Sequence, residues 1–87
     1  MKREVDFKPG DECVYREDGG ETICEVLEKE IEERDGDEWL VMKFKVMQVL
    51  RSSPIVKNMR RGEIFSAEKR IGTRIFFVLW EIREISA

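Results

Sequence analysis

Stretches of alternating or β-prone residues run from Cys13 to Tyr15, from Ile23 to Leu27 and from Leu40 to Val46, the last with apolar Leu40, Met42, Phe44 and Val46 at every second position. Alternation with a period of two places every second side chain on the same side of an extended ribbon, so each stretch predicts a half-buried strand. The Asp18-Gly19 and Asp35-Gly36 dipeptides separate the three stretches. Asp-Gly between alternating runs is the strongest short-range hairpin signal, because a type I′ turn needs positive φ at both central residues. With Asp35-Gly36 as a two-residue loop, Ile31 faces Leu40, Lys29 faces Met42, Leu27 faces Phe44 and Glu25 faces Val46, while Glu28 meets Lys43 on the other side. This register gathers Ile23, Leu27, Ile31, Leu40, Met42, Phe44 and Val46 on one side. Glu25 and Lys29 also land there, which a bulge or an exposed strand end accommodates. With Asp18-Gly19 as the first loop, Cys13 faces Cys24.

The pattern breaks at Arg51-Ser52-Ser53-Pro54. Ser53 suits a helix cap, Pro54 the first helical position, Arg60 and Arg61 the last turn, and Gly62 the residue just beyond, so a short helix is expected near residues 54–61. Two further strands follow, over 63–68 and 73–82. The run Ile75-Phe76-Phe77-Val78-Leu79-Trp80 is β-branched and aromatic enough to suit a strand buried on both faces, with Phe76 and Trp80 in the core. Residues 1–8 are expected to fray or to add an edge strand through Val5 and Phe7. The fold class is mostly β: one domain over 1–87, a small barrel of five to six antiparallel strands with one short helix.

Phe7-Lys8-Pro9-Gly10-Asp11-Glu12-Cys13-Val14-Tyr15, then Glu17-Asp18-Gly19-Gly20 and Ile23-Cys24-Glu25-Val26-Leu27, resembles the opening hairpin of Tudor-like barrels, which are SH3-like. The Pro-Gly-Asp entry is similar to that of PUA-like barrels, the pseudouridine-synthase and archaeosine-transglycosylase type, and of the related ASCH domains. Either resemblance implies strongly bent strands. The Tudor likeness implies an aromatic cage for methylated side chains, for which Phe7, Tyr15 and Trp39 are the rings at hand; the ASCH likeness implies RNA or DNA binding.

Composition narrows the chemistry. The chain has 87 residues, 41% hydrophobic and 40% charged, which describes neither a disordered chain nor a membrane protein. It has no His, and so lacks the commonest general base near neutral pH and the commonest metal ligand. There is no phosphate-binding Gly-rich loop, no nucleophile elbow and no Cys-x-x-Cys pair. No catalytic residue, cofactor or metal is expected. The longest apolar run, 75–82, is interrupted by Glu81 and is far below the roughly 20 residues that span a bilayer. No apolar stretch of leader length precedes Cys13, and two cysteines are too few for a disulfide scaffold. The expected location is cytoplasmic, with Cys13 and Cys24 reduced and buried.

The net charge of −3 conceals a division. Residues 1–38 hold 6 Lys/Arg against 15 Asp/Glu, a net −9, whereas residues 39–87 hold 10 against 4, a net +6. Pairing between the halves within the fold is the expected use of this asymmetry. The candidate binding residues are the cations Arg51, Lys57, Arg60, Arg61, Lys69, Arg70 and Arg74, together with Trp39 near the tip of the long hairpin and Tyr15. Arg pairs bind phosphate through parallel hydrogen bonds, and exposed aromatics favour interfaces. The expected function is a non-enzymatic binding module that mediates protein–protein interaction or self-association; the alternative is an RNA- or DNA-binding barrel using residues 51–74.

Overall fold

A computed structural model of the chain describes residues 2–53, 59–72 and 80–85. Both Asp-Gly dipeptides take positive φ at both positions: 49° and 82° at Asp18 and Gly19, 49° and 83° at Asp35 and Gly36. These are type I′ geometries, whose twist matches that of the strands they join. They connect β1 (Glu12–Glu17), β2 (Gly20–Arg34) and β3 (Asp37–Arg51). β4 (Ile64–Arg70) and β5 (Trp80–Arg83) complete an antiparallel sheet in the order β4-β3-β2-β1-β5.

The first hairpin has the expected register, with Cys13 opposite Cys24. The second keeps its expected register from the turn back to Glu28 opposite Lys43, including Ile31 opposite Leu40 and Lys29 opposite Met42. Beyond that point the expected pairs are replaced. Val26, not Leu27, faces Phe44, and Cys24, not Glu25, faces Val46. Leu27 is skipped in the ladder, and so are Met47 and Leu50 on β3. A bulge inserts one residue on one strand and exchanges the faces of everything past it. The Leu27 bulge turns Glu25 away from the apolar side and brings in Cys24 and Val26, both fully buried. Ile23 and Leu27 are only half-buried as a result.

The buried face holds Cys13, Tyr15, Cys24, Val26, Leu40, Met42, Phe44, Trp80 and Ile82, with Phe7 reaching them from the amino-terminal segment. Four rings form its centre. Tyr15 lies edge-on to Phe44 at 5.3 Å and to Phe65 at 5.0 Å, and is stacked on Trp80 at 5.7 Å. Each edge-to-face or offset pair adds about 0.5–1.5 kcal/mol to the burial of the rings themselves. The Tyr15 hydroxyl donates to the Glu17 carboxylate, which gives the buried phenol its partner.

β4 and β5 are the two ends of the strand order, and the sheet curls enough for their side chains to meet. Trp80 Nε1 donates to the Glu68 carbonyl at 3.1 Å, and Lys69 Nζ to the Trp80 carbonyl at 3.0 Å. Among the described residues no backbone ladder joins the two strands. The amino-terminal segment neither frays nor adds a strand. Glu4–Asp6 forms a 3-10 turn, and the Glu4 carboxylate accepts from Lys69 Nζ and, at 3.0 Å, from the Ile82 amide. Lys29, on the apolar side beyond the bulge, donates to the Val5 carbonyl at 2.5 Å and so fastens this segment instead of disrupting the core.

The expected helix falls mainly on residues 54–58, outside the described residues, as does most of the expected strand over 73–79. Residues 59–61 carry no helix. Arg60 to Glu63 instead make a reverse turn, with the Glu63 amide donating to the Arg60 carbonyl at 3.0 Å and Gly62 at φ 90°. Gly62 occupies the left-handed position expected of it, but in a turn that leads into β4.

Candidate functional site

The sheet's other face carries cross-strand charge pairs. Lys43 pairs with Glu28 at 3.6 Å, Arg51 with Glu21 at 3.7 Å, Arg70 with Asp37 at 3.6 Å, and, on the buried side, Lys69 with Glu4. All four join a cation of the second half to a carboxylate of the first. Much of the charge asymmetry is therefore satisfied within the fold.

The densest group on this face surrounds Trp39, at the tip of the β2–β3 hairpin. Trp39 faces Glu32 on β2 and Arg70 on β4, so it sits between two strands that each bring a cation. The Arg34 and Arg70 guanidinium carbons lie 5.2 Å and 5.6 Å from the ring centroid, within cation–π range. Arg34 also donates two hydrogen bonds of 3.0 Å to the two oxygens of Glu68, and two, of 2.6 Å and 3.1 Å, to one oxygen of Glu32. The Glu68 hydrogen bonds come first among the causes that hold the Arg34 guanidinium above its ordinary value, and the same bonds hold the Glu68 carboxyl below its own. The half-buried ring is thus fixed in orientation while part of it remains open to solvent. The exposed acids Glu30, Glu33, Asp35 and Glu38 share the hairpin end with it, Glu33 and Glu38 on the opposite face by the pleat of the strands.

The sequence-derived candidates separate into groups. Tyr15 is 1% exposed and belongs to the aromatic core. Phe7 is likewise buried, so of the three rings considered for a cage only Trp39 reaches the surface. Lys69 and Arg70 point to opposite faces; Lys69 lies 4.4 Å over the Trp80 ring and pairs with Glu4, whereas Arg70 belongs to the Trp39 group. Arg51 is exposed at the far end of β3. Arg60 and Arg61 project from the turn before β4, which the Gly62 amide ties to the Val46 carbonyl at 2.7 Å. Lys57 and Arg74 lie outside the described residues. Arg70 is separated from Arg60 and Arg61 by the length of β4, about 20 Å at 3.3 Å per residue.

Arg34 and Glu68 were not among the sequence candidates. Arg34 adjoins the Asp35-Gly36 turn, which places it beside Trp39, but the position of Glu68 depends on β4 pairing with β3, for which the sequence carries no turn signal. Among the described residues no three His, Cys, Asp or Glu side chains group so as to hold a metal ion, and no helix is long and apolar enough to cross a membrane. No family model, curated protein or solved structure matches the chain.

Proposed function

We propose that this chain is a non-catalytic protein-binding module of SH3-like build that docks a basic surface of a partner protein at the tip of the β2–β3 hairpin, around Trp39. The supporting observation is the Trp39 group itself. A large ring is held in place by Arg34 and Arg70 and partly open to solvent, at a hairpin end that also carries exposed carboxylates. Trp and Arg are the residue types that dominate interface energetics, and a ring that is already ordered loses little freedom on binding. The exposed acids of the hairpin end favour a partner that presents Lys or Arg. Nucleic-acid binding finds less support, because Lys69 and Arg70 are engaged by Glu4 and Asp37 on opposite faces of the sheet. Two free thiols in facing register suit a reducing, cytoplasmic setting.

The test is affinity capture from nuclease-treated extract with the wild-type chain, Trp39→Ala and Glu33→Lys/Glu38→Lys, followed by direct binding to each purified candidate. A true partner binds the wild type and loses roughly 30-fold or more with Trp39→Ala, the scale of a hot-spot residue. A captured set that is the same for all three proteins refutes the reading.

A further inference from the structure

β1 accompanies β2 only as far as Glu25, opposite Glu12, and the backbone of Gly10 and Asp11 extends the pairing to Val26. β2 itself runs on to Arg34, and among the described residues it is paired there with β3 alone. The Asp35-Gly36 loop sets which backbone groups this leaves open. A two-residue loop closes on a hydrogen-bonded pair, here Arg34 and Asp37, so Arg34, Glu32, Glu30 and Glu28 bond to β3 while Glu33, Ile31 and Lys29 turn their backbone groups away from it. The Ile71 amide agrees with this assignment. It donates to the Glu38 carbonyl at 2.8 Å, so Glu38, which faces Glu33, bonds towards β4 and not towards β2. Three N–H and three C=O groups therefore line the free edge, and no backbone hydrogen bond from the described residues reaches them. The amino-terminal segment meets this stretch through the Lys29 side chain, on the buried side, and not through the edge. Ile31, in the middle, is 49% exposed.

We infer that an extended, basic segment of the partner protein adds to this edge as a strand antiparallel to β2, centred opposite Ile31. This deepens the protein-binding reading and rests on it. An unpaired edge is a template for another chain, because main-chain bonds give affinity for any extended peptide and the alternating side chains choose among peptides. Charge makes the choice here. Residues 28–34 carry four Glu against one Lys and one Arg, and the pleat sets Glu28, Glu30 and Glu32 on one face. An incoming strand with Lys or Arg at every second position places its cations opposite these three, whereas a second acidic edge would set like charges against each other. The residues between those cations fall on the other face, where an aliphatic side chain lies against Ile31 and removes it from water.

The test is titration of the full chain with the capped peptide acetyl-Thr-Lys-Val-Lys-Thr-Lys-amide, followed by amide hydrogen exchange in NMR spectra. The peptide is expected to bind with a dissociation constant of about 1 mM or tighter and, at saturation, to slow exchange at the Lys29, Ile31 and Glu33 amides about 10-fold or more. Ile31→Pro takes a donor from the edge and none from the pairing with β3, a position where an edge strand accepts proline, and weakens binding about 10-fold or more. Circular dichroism checks that this variant folds. The same peptide carrying a methyl group on its valine nitrogen leaves the protein unaltered and loses as much. Glu30→Lys weakens binding about 3-fold in low salt and less in high salt. A peptide that does not bind overturns the inference. So does one that binds without slowing exchange at those three amides, or one whose binding ignores the added methyl group. If the peptide fails while a protein from extract binds and is lost with Trp39→Ala, the strand addition fails and the protein-binding reading stands. If neither binds, both fail.

Discussion

Cys13 and Cys24 face each other across β1 and β2, both fully buried and both free thiols. Burial is the first cause that pushes each thiol up to about 12. A folded-state value above the unfolded one means that the native chain holds these protons more tightly. The associated stability is fully present below the unfolded value near pH 9 and is lost as pH rises from there towards 12. Urea unfolding at about pH 10 is expected to show roughly 2 kcal/mol less stability than at about pH 8. Burial pushes the Tyr15 phenol up too, which adds a change of the same sign. A Cys13→Ala/Cys24→Ala variant flattens the decline; a decline unchanged in that variant contradicts the assignment.

Trp80 serves the core and the β4–β5 junction at once, through its stacking on Tyr15 and its Nε1 bond to the Glu68 carbonyl. Trp80→Ala is expected to cost about 3–5 kcal/mol in chemical denaturation. Trp80→Phe retains most of the ring burial and loses the indole donor, so its cost should be smaller, about 1–3 kcal/mol. Equal costs for the two would mean that the hydrogen bond contributes little beside packing.

The I′ turns predict an asymmetry between their two residues. Asp35→Asn is expected to leave stability within about 0.5 kcal/mol, since Asn accepts left-handed φ as readily as Asp. Gly36→Ala places a Cβ at φ 83° and is expected to cost about 1 kcal/mol or more. Open space around the Gly36 position means that any loss measured by thermal unfolding reports backbone strain and not a clash.

Glu4 is the principal fastening of the amino-terminal segment, because its carboxylate accepts from both Lys69 and the Ile82 amide. Glu4→Ala is expected to destabilise by about 1–3 kcal/mol and to raise hydrogen exchange at the Ile82 amide ahead of amides on β2 and β3. If exchange at Ile82 is unchanged, the carboxylate is not what protects it.

The two hairpins were legible in the sequence because their information is local: a dipeptide that demands positive φ, with alternation on either side. Even the Leu27 bulge left a trace. The first hairpin puts Cys24 on the buried side, while an unbroken second hairpin puts Ile23 there, and neighbouring residues of one strand cannot share a face. Glu25 on the apolar side signalled the same conflict. Long-range placement was less accessible. Lys69 and Arg70 look equivalent in a run of cations, but the pleat sends one to Glu4 and the other to Trp39. The Trp39 group depends on β4 lying beside β3, and Tyr15, a binding candidate in the sequence, is a core ring because Phe44, Phe65 and Trp80, none of them near it in sequence, close around it.

Strands of fifteen residues, laid straight, would make β2 and β3 a rod of roughly 50 Å. The whole molecule measures only 36 Å along its longest axis. Leu27, Met47 and Leu50, the residues passed over in pairing, are where the ribbon gains the slack to wrap. Curvature in this protein is consequently written in the tally of residues between landmarks more than in their identity. Leu27 should tolerate exchange for many side chains, whereas excising it would turn Glu25 inward and Val26 outward, inverting one end of the wrap.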